Sequence, residues 1–232
     1  MAVYIGDTHG QFGWFNHTID KYKNTNFVHV GDFGSPVFGQ FGGSHAVIDT
    51  LNETLQKRRN SMWVIRGNHD NPMFWNEPKW SRSNLNFVPD YSVLNVEGKM
   101  TLFVGGATSI DRLVLAEGLW FPDEVFVYDA TKIQHILDTH SQIDVVITHN
   151  APEFAYPMGY NNIVYSFAQN DPKLLKDLGA ERKAIGDLYR VLATKFNIKR
   201  WVYGHFHLAN TMNYNGTEFT CMPANAFSRN QY

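Results

Sequence analysis

The stretch RWVYGHFH (Arg200–His207) decides how the chain is read. Four residues of strand-forming, largely apolar character run into a glycine, and two histidines follow one position apart. In an extended backbone, residues i and i+2 project to the same side, so both imidazoles can face one point. The same order recurs along the chain. AVYI (2–5) runs into GDTHG, NFVHV (26–30) into GDFG, MWVI (62–65) into RGNHD, and DVVI (144–147) into THN. Continuous apolar runs separated by longer segments of helical pattern predict strands buried on both faces, hence a mixed α/β fold. In open α/β sheets, sites gather beyond the carboxyl ends of strands. Five polar clusters at five strand ends therefore predict one site.

The intervening segments support this. QFGWFNHTIDKYK (11–23) and SHAVIDTLNETLQKRR (44–59) read as helices, the second with Ser44 as N-cap, and DATKIQHILDTH (129–140) as a helix capped by Asp129. ERKAIGDLYRVLATKF (181–196) reads as a further helix. The stretch NFVPDYSVLNVEGKMTLFVGG (86–106) predicts antiparallel strands turning at Glu97-Gly98, and Asn215-Gly216 marks a second hairpin. No linker, repeat or block of like charge divides the 232 residues, so one domain spanning 1–232 is expected.

Composition excludes several classes. A formal net charge of −2 gives no basic track for nucleic acid and no reason to expect a membrane surface. One cysteine, Cys221, rules out an internal disulfide and cysteine-based zinc motifs. MAVYIGDTHG carries neither a basic leader nor a small-residue cleavage site, and no apolar run reaches membrane-spanning length. The expectation is a soluble, cytoplasmic protein in which the sequons at Asn16, Asn52 and Asn215 are idle.

The clusters supply Asp7, His9, Asp32, Asn68, His149, His205 and His207. Carboxylate, imidazole and amide oxygen without thiolate suit Mn²⁺, Fe²⁺/³⁺ or Zn²⁺ better than calcium or a structural zinc. Seven ligands exceed one tetrahedral ion. They suit two metals, with Asp32 bridging through its two oxygens, and leave a slightly positive site for a phosphoryl group.

The ordered series GDTHG, GDFG, GNHD, TH, GHFH closely resembles the calcineurin-like metallophosphoesterase superfamily. GGATSIDR (Gly105–Arg112) followed by LWFPDE resembles its small bacteriophage and bacterial members. The resemblance implies a four-layer α/β/β/α sandwich of mixed sheets and hydrolysis of phosphate mono- or diesters. It implies one metal on Asp7, His9, Asp32 and His207, and a second on Asp32, Asn68, His149 and His205, manganese being the first choice. A metal-bridging hydroxide would attack in line. His69 would protonate the leaving oxygen or stabilise the pentacoordinate phosphorus.

The protein phosphatase branch reads GDxxDRG and GNHE where this chain has GDFGSP and GNHD. The acid that orients the catalytic histidine is thus absent, and Asp70 is not an obvious replacement. Arg66 precedes GNH as in that branch, where the arginine grips phosphate, so Arg66 is a candidate substrate contact. Arg112 is another, against an ion pair that merely holds its loop.

Other features have plainer readings. GQFGG (Gly39–Gly43) lacks the Lys-Ser/Thr of a P-loop and reads as a connector. His45 is the one histidine outside the clusters that merits a test. In the long segment 151–173, Tyr156, Tyr160, Tyr165 and Phe167 either stack on a substrate or pack the segment down. The expected substrate is a small, nucleotide-like phosphate ester. The alternatives are a nuclease or phosphodiesterase acting on nucleic acid, or a scaffold that keeps the fold without catalysis.

Overall fold

The computed structural model describes residues 2–34, 44–115 and 119–229. Gly39–Gly43 and the flank of Ser44 that would settle its capping role lie outside them. Two sheets stand face to face. The first comprises β1 (Val3–Ile5), β2 (Asn26–His29), β3 (Ser61–Val64) and β4 (Leu85–Phe87), all parallel, with β11 (Phe227–Arg229) antiparallel to β1 at the edge. The second runs β5 (Ser92–Val96), β6 (Lys99–Val104), β7 (Val145–Thr148), β8 (Arg200–Tyr203), β10 (Thr217–Cys221), β9 (Asn210–Tyr214). Its middle four strands, β6, β7, β8 and β10, are parallel, and β5 and β9 close the edges as hairpins.

The apolar runs explain the layering. Alternate side chains of each strand enter different cores. Val3, Ile5, Phe27, Met62 and Val64 face α1 (Phe12–Ile19) and α2 (Ser44–Arg58). Tyr4, Val28, Ile65, Phe103, Val145, Ile147 and Val202 meet between the sheets. Leu102, Val104, Val146, Trp201 and Tyr203 face α4 (Ala130–Thr139) and α6 (Leu174–Ala193). Three apolar interfaces separate four layers, α/β/β/α. Each fully buried Val, Ile or Leu contributes roughly 1.5–3 kcal/mol.

Local signals account for the ends of elements. The Asp129 side chain accepts hydrogen bonds from the backbone N–H of Thr131 and Lys132, both at 3.0 Å, capping α4. Both hairpin turns place a non-glycine residue and then glycine at positive φ, Glu97 and Gly98 at 55° and 78°, and Asn215 and Gly216 at 50° and 83°. This twist matches antiparallel strands.

Three elements differ from expectation. Residues 85–87, at the start of the stretch read as antiparallel, form β4 parallel to β3; the antiparallel hairpin begins only at Ser92. Pro89-Asp90 separates the two, and proline punctuates strands. The helix expected at 181–196 begins at Leu174, because Leu174 and Leu178 continue its buried stripe. Within 151–173, α5 (Asn162–Ala168) forms, capped by Asn161, whose side chain accepts from the N–H of Ile163 and Val164. A short α3 (Met73–Asn76) follows RGNHD. Among the described residues, no helix is long and apolar enough to cross a membrane.

Candidate metal centre and its cavity

Beyond the carboxyl ends of β1, β2, β3, β7 and β8, the seven candidate ligands converge in two adjoining groups. In the outer group, one ligand atom from each of Asp7, His9, Asp32 and His207 lies within 4.8 Å of the others. His9 Nε2 and His207 Nε2 are 2.9 Å apart, and His207 Nε2 is 3.2 Å from Asp7 Oδ2. In the inner group, Asn68 Oδ1 lies 3.0 Å from His149 Nε2 and 2.9 Å from His205 Nδ1. Asp32 stands between them, Oδ1 3.4 Å from His149 Nε2 and Oδ2 3.9 Å from His9 Nε2.

The backbone is bent to achieve this. His9, Asp32, His205 and His207 have φ of 45°, 52°, 68° and 55°. For residues with a Cβ this left-handed conformation costs about 1–2 kcal/mol each, and strain of this kind collects at functional sites. Hydrogen bonds hold it in place: His9 N–H donates to Asp32 O at 2.9 Å, and His205 N–H donates to Asp7 Oδ2 at 2.9 Å. Two glycines have a steric reason. A Cβ at Gly67 would lie 2.1 Å from Asp32 Oδ1, and one at Gly204 would lie 2.2 Å from Asp7 Oδ1. The carboxylates cross directly over these α-carbons, and no other residue leaves room.

Electrostatics keep the groups in defined states. Burial opposes charge on Asp32, yet the His149 cation beside it holds the carboxyl well below the usual range. Burial likewise works against His149, but attraction to Asp32 prevails and pushes it up to about 9. Burial drives His205 far down and lowers His9, whereas the hydrogen bond to Asp7 raises His207. Asp7 Oδ1 is buried and makes no hydrogen bond. An orphaned buried carboxylate oxygen in a cluster of carboxylate, imidazole and amide donors without thiolate is the chemistry of a cation site. The residues fit metal.

Supporting contacts come from residues inside the quoted motifs to which the motif reading gave no role as supports. Asn68 Nδ2 donates to Ser109 Oγ at 2.9 Å, turning Oδ1 toward the inner group. Ser109 N–H donates to Glu124 Oε1 at 2.9 Å, and burial pushes the Glu124 carboxyl up to about 7. His149 Nδ1 donates to the Val30 carbonyl at 2.7 Å, directing Nε2 inward. Asp70 accepts from the N–H of Phe33, Gly34 and Gly67, tying GDFG to RGNHD. It is a backbone clamp and not the partner of His69. Thr8 Oγ1 and His29 Nε2 pair at 3.1 Å beneath the site, where burial lowers His29 to about 3. Their partners lie far away in sequence, so no local signal assigned them these supporting roles.

Arg66 differs from expectation, and Arg112 takes one of its two readings. Arg66 is buried, and its guanidinium donates to Asp90 and to the carbonyls of Asp123, Glu124 and Val125. Its N–H groups are engaged in holding the 123–125 segment, so the phosphate contact does not stand. Arg112 pairs with Asp171 at 2.6 Å and Asp177 at 2.8 Å, the loop-holding alternative. His45 stacks on Trp80 and meets Arg82, outside both groups.

His69 is half-buried, its backbone N–H donating to Asp32 Oδ1 at 2.9 Å and its ring 5.6 Å from that of His9. With Asp32, Asn68, His205 and His207 it lines a cavity of about 550 Å³.

Comparison with known proteins bears on the fold and the family. No curated protein sequence matches the chain significantly. A Staphylococcus aureus structure assigned as a 5′-nucleotidase superposes with TM-score 0.54 at 12% identity, covering 97% of this chain and 48% of its own. The phosphopantetheinyl hydrolase of Mycobacterium tuberculosis superposes with TM-score 0.54 at 15% identity, covering 97% of this chain and 89% of its own. The chain thus spans about half of the first structure and most of the second. At such identities the likeness is one of fold. The family model described as calcineurin-like phosphoesterase matches residues 2–209. The chain belongs to the calcineurin-like phosphoesterase family.

Proposed function

We propose that this chain, as a single domain, is a two-metal phosphoesterase acting on mono- or diesters of a small, nucleotide-like alcohol. The observation that carries the reading is Asp32, whose two oxygens point to two separate ligand groups while Asp7 Oδ1 lacks a partner. Asp7, His9, Asp32 and His207 hold one ion; Asp32, Asn68, His149 and His205 hold the other. Manganese suits this oxygen–nitrogen set, with iron or zinc as alternatives. When bound, paired ions supply a lowered water pKa and positive charge for the phosphoryl oxygens.

The chain's own residues do the rest. Ser109 and Val30 orient Asn68 and His149, so that neither ligand must reorganise when substrate arrives. His69 stands beside Asp32 and opens onto the cavity, where it delivers a proton to the leaving oxygen. The cavity admits a phosphate ester directly to this edge.

The test is turnover of an aryl phosphate and its diester by metal-stripped protein before and after Mn²⁺, Fe²⁺ or Zn²⁺ is added. Stripped protein should be inert and Mn²⁺ should restore it; failure of all three ions on both esters would overturn the reading. His69→Ala should keep its metals and lose on the order of 10²–10⁴ in kcat. An unchanged rate would remove His69 from the reaction.

A further inference from the structure

We propose that the cavity wall opposite the ligands receives an uncharged aromatic group of the substrate's alcohol, about the size of a nucleobase or a bicyclic arene. The inference rests on the phosphoesterase reading above and adds what that reading leaves open, the part of the ester that is recognised.

The wall is apolar. Tyr156, Tyr160, Ile163, Val164, Phe167 and Leu208 face the same cavity as Asp32, Asn68 and His69. A phosphoryl group at the ligands therefore places its organic substituent against these side chains. About 550 Å³ lies within the range of small-molecule sites.

The helix behind this wall is unusual. A seven-residue helix has little stability of its own and depends on burying a face. Yet α5 carries Ile163, Val164, Tyr165 and Phe167 without burying any of its residues. Ile163 is 60% exposed, and Leu208, which lines the same cavity, is 41% exposed. A concentration of open apolar side chains beside a polar centre is the signature of a ligand surface.

Charge decides what kind of group fits. Among the described lining residues the only Lys or Arg is Arg182. Its guanidinium donates to the carbonyls of Ala151, Pro152, Ala155 and Pro157, and it lies over the Phe206 ring at 5.3 Å. It braces the segment that leads into α5 and faces inward. Apart from Asp32, the acidic residue lining the cavity is Asp111. A second phosphate or a long polyanion would find no counter-charge here, whereas an aromatic ring gains burial and stacking on Tyr160 or Phe167.

The experiment uses the Mn²⁺-reconstituted protein and three esters with matched alkyl leaving groups: ethyl phosphate, 2-(1-naphthyl)ethyl phosphate and 1,3-propanediol bisphosphate. The naphthyl ester should exceed ethyl phosphate by about 10-fold or more in kcat/KM, and the bisphosphate should gain nothing. Phe167→Ala and Ile163→Ser should each raise KM for the naphthyl ester several-fold and narrow its lead. Ile163 is so exposed that its replacement does not threaten the fold. Binding of 3-(1-naphthyl)propylphosphonate, measured by calorimetry against propylphosphonate, reads the pocket without turnover. Equal kcat/KM for the naphthyl and ethyl esters, or variants that weaken both in proportion, would overturn the proposal while leaving the hydrolase reading intact. Preferential, Phe167-dependent phosphonate binding without hydrolysis of any ester would sink the hydrolase reading and keep the pocket.

Discussion

The two halves of the ligand cluster are built differently. In the inner half, His149 is fully buried and Asn68 is 2% exposed; each has its ligand atom aimed by a hydrogen bond from behind. In the outer half, the His9 and His207 side chains are 31% and 49% exposed. The inner position is set before any ion arrives. The outer one is open to solvent on the imidazole side, although Asp7 beneath it is buried. Two ions held by similar residue types should therefore differ in tightness and exchange rate.

The largest perturbation removes the residue common to both halves. Asp32→Ala should lose both ions, measured by elemental analysis after dialysis, and lower kcat by at least about 10³-fold. Loss of a single ion would show that the halves are independent. His207→Ala should sharpen the contrast: the inner ion stays bound through dialysis while the outer is lost. Retention of both would mean that the open half is not the weaker one. Ser109→Ala acts on the other side, freeing the Asn68 amide to rotate. Inner-ion affinity should fall about 10- to 100-fold with the outer unaffected, as titration calorimetry would show. Equal weakening would point to a general loosening.

The smallest effect is on the stability of metal-free protein. His149 is raised from 6.5 to about 9 in the fold, so its contribution is complete below pH 6.5 and lost as pH rises toward 9. His29 is lowered to about 3, and His205 is lowered well below 6.5, so their penalty grows as pH falls below 6.5. The melting temperature of stripped protein should peak near pH 6.5 and drop by a few degrees on either side. A melting temperature that climbs steadily through pH 9 would show that the inner half is not wired as described.

Much of this was legible in the sequence, for a physical reason. A strand buried on both faces must be apolar throughout, and its ligands must sit where it ends, so MWVI-RGNHD carries both fold and site. The four layers followed from family resemblance, because no apolar run states which sheet it joins. NFVPD shows the limit. Its strand reads like its hairpin neighbours, yet β4 pairs with β3 because Asn84 and Val88 bond to the β3 backbone. The supporting residues were illegible for a similar reason. Ser109, Glu124, Asp90 and Thr8 act through partners 15 to 41 positions away. Arg66 was misread because its neighbours in sequence say phosphate, whereas its neighbours in space are carbonyl oxygens.

The meeting of His9 with His207 has one further consequence, for assembly. The two rings touch across 198 positions of chain, and His205 closes the inner group on Asn68 across 137. Closing so distant a contact is slow compared with forming local helices. During synthesis, therefore, β1 to β4 and the helices between them can form while Asp7 and Asp32 still lack β8, and β11 joins β1 only later. Ion capture should then be a late event that reports the arrival of β8, and a chain ending ahead of β8 would keep Asp7, His9, Asp32, Asn68 and His149 but lack His205 and His207, which close the two groups.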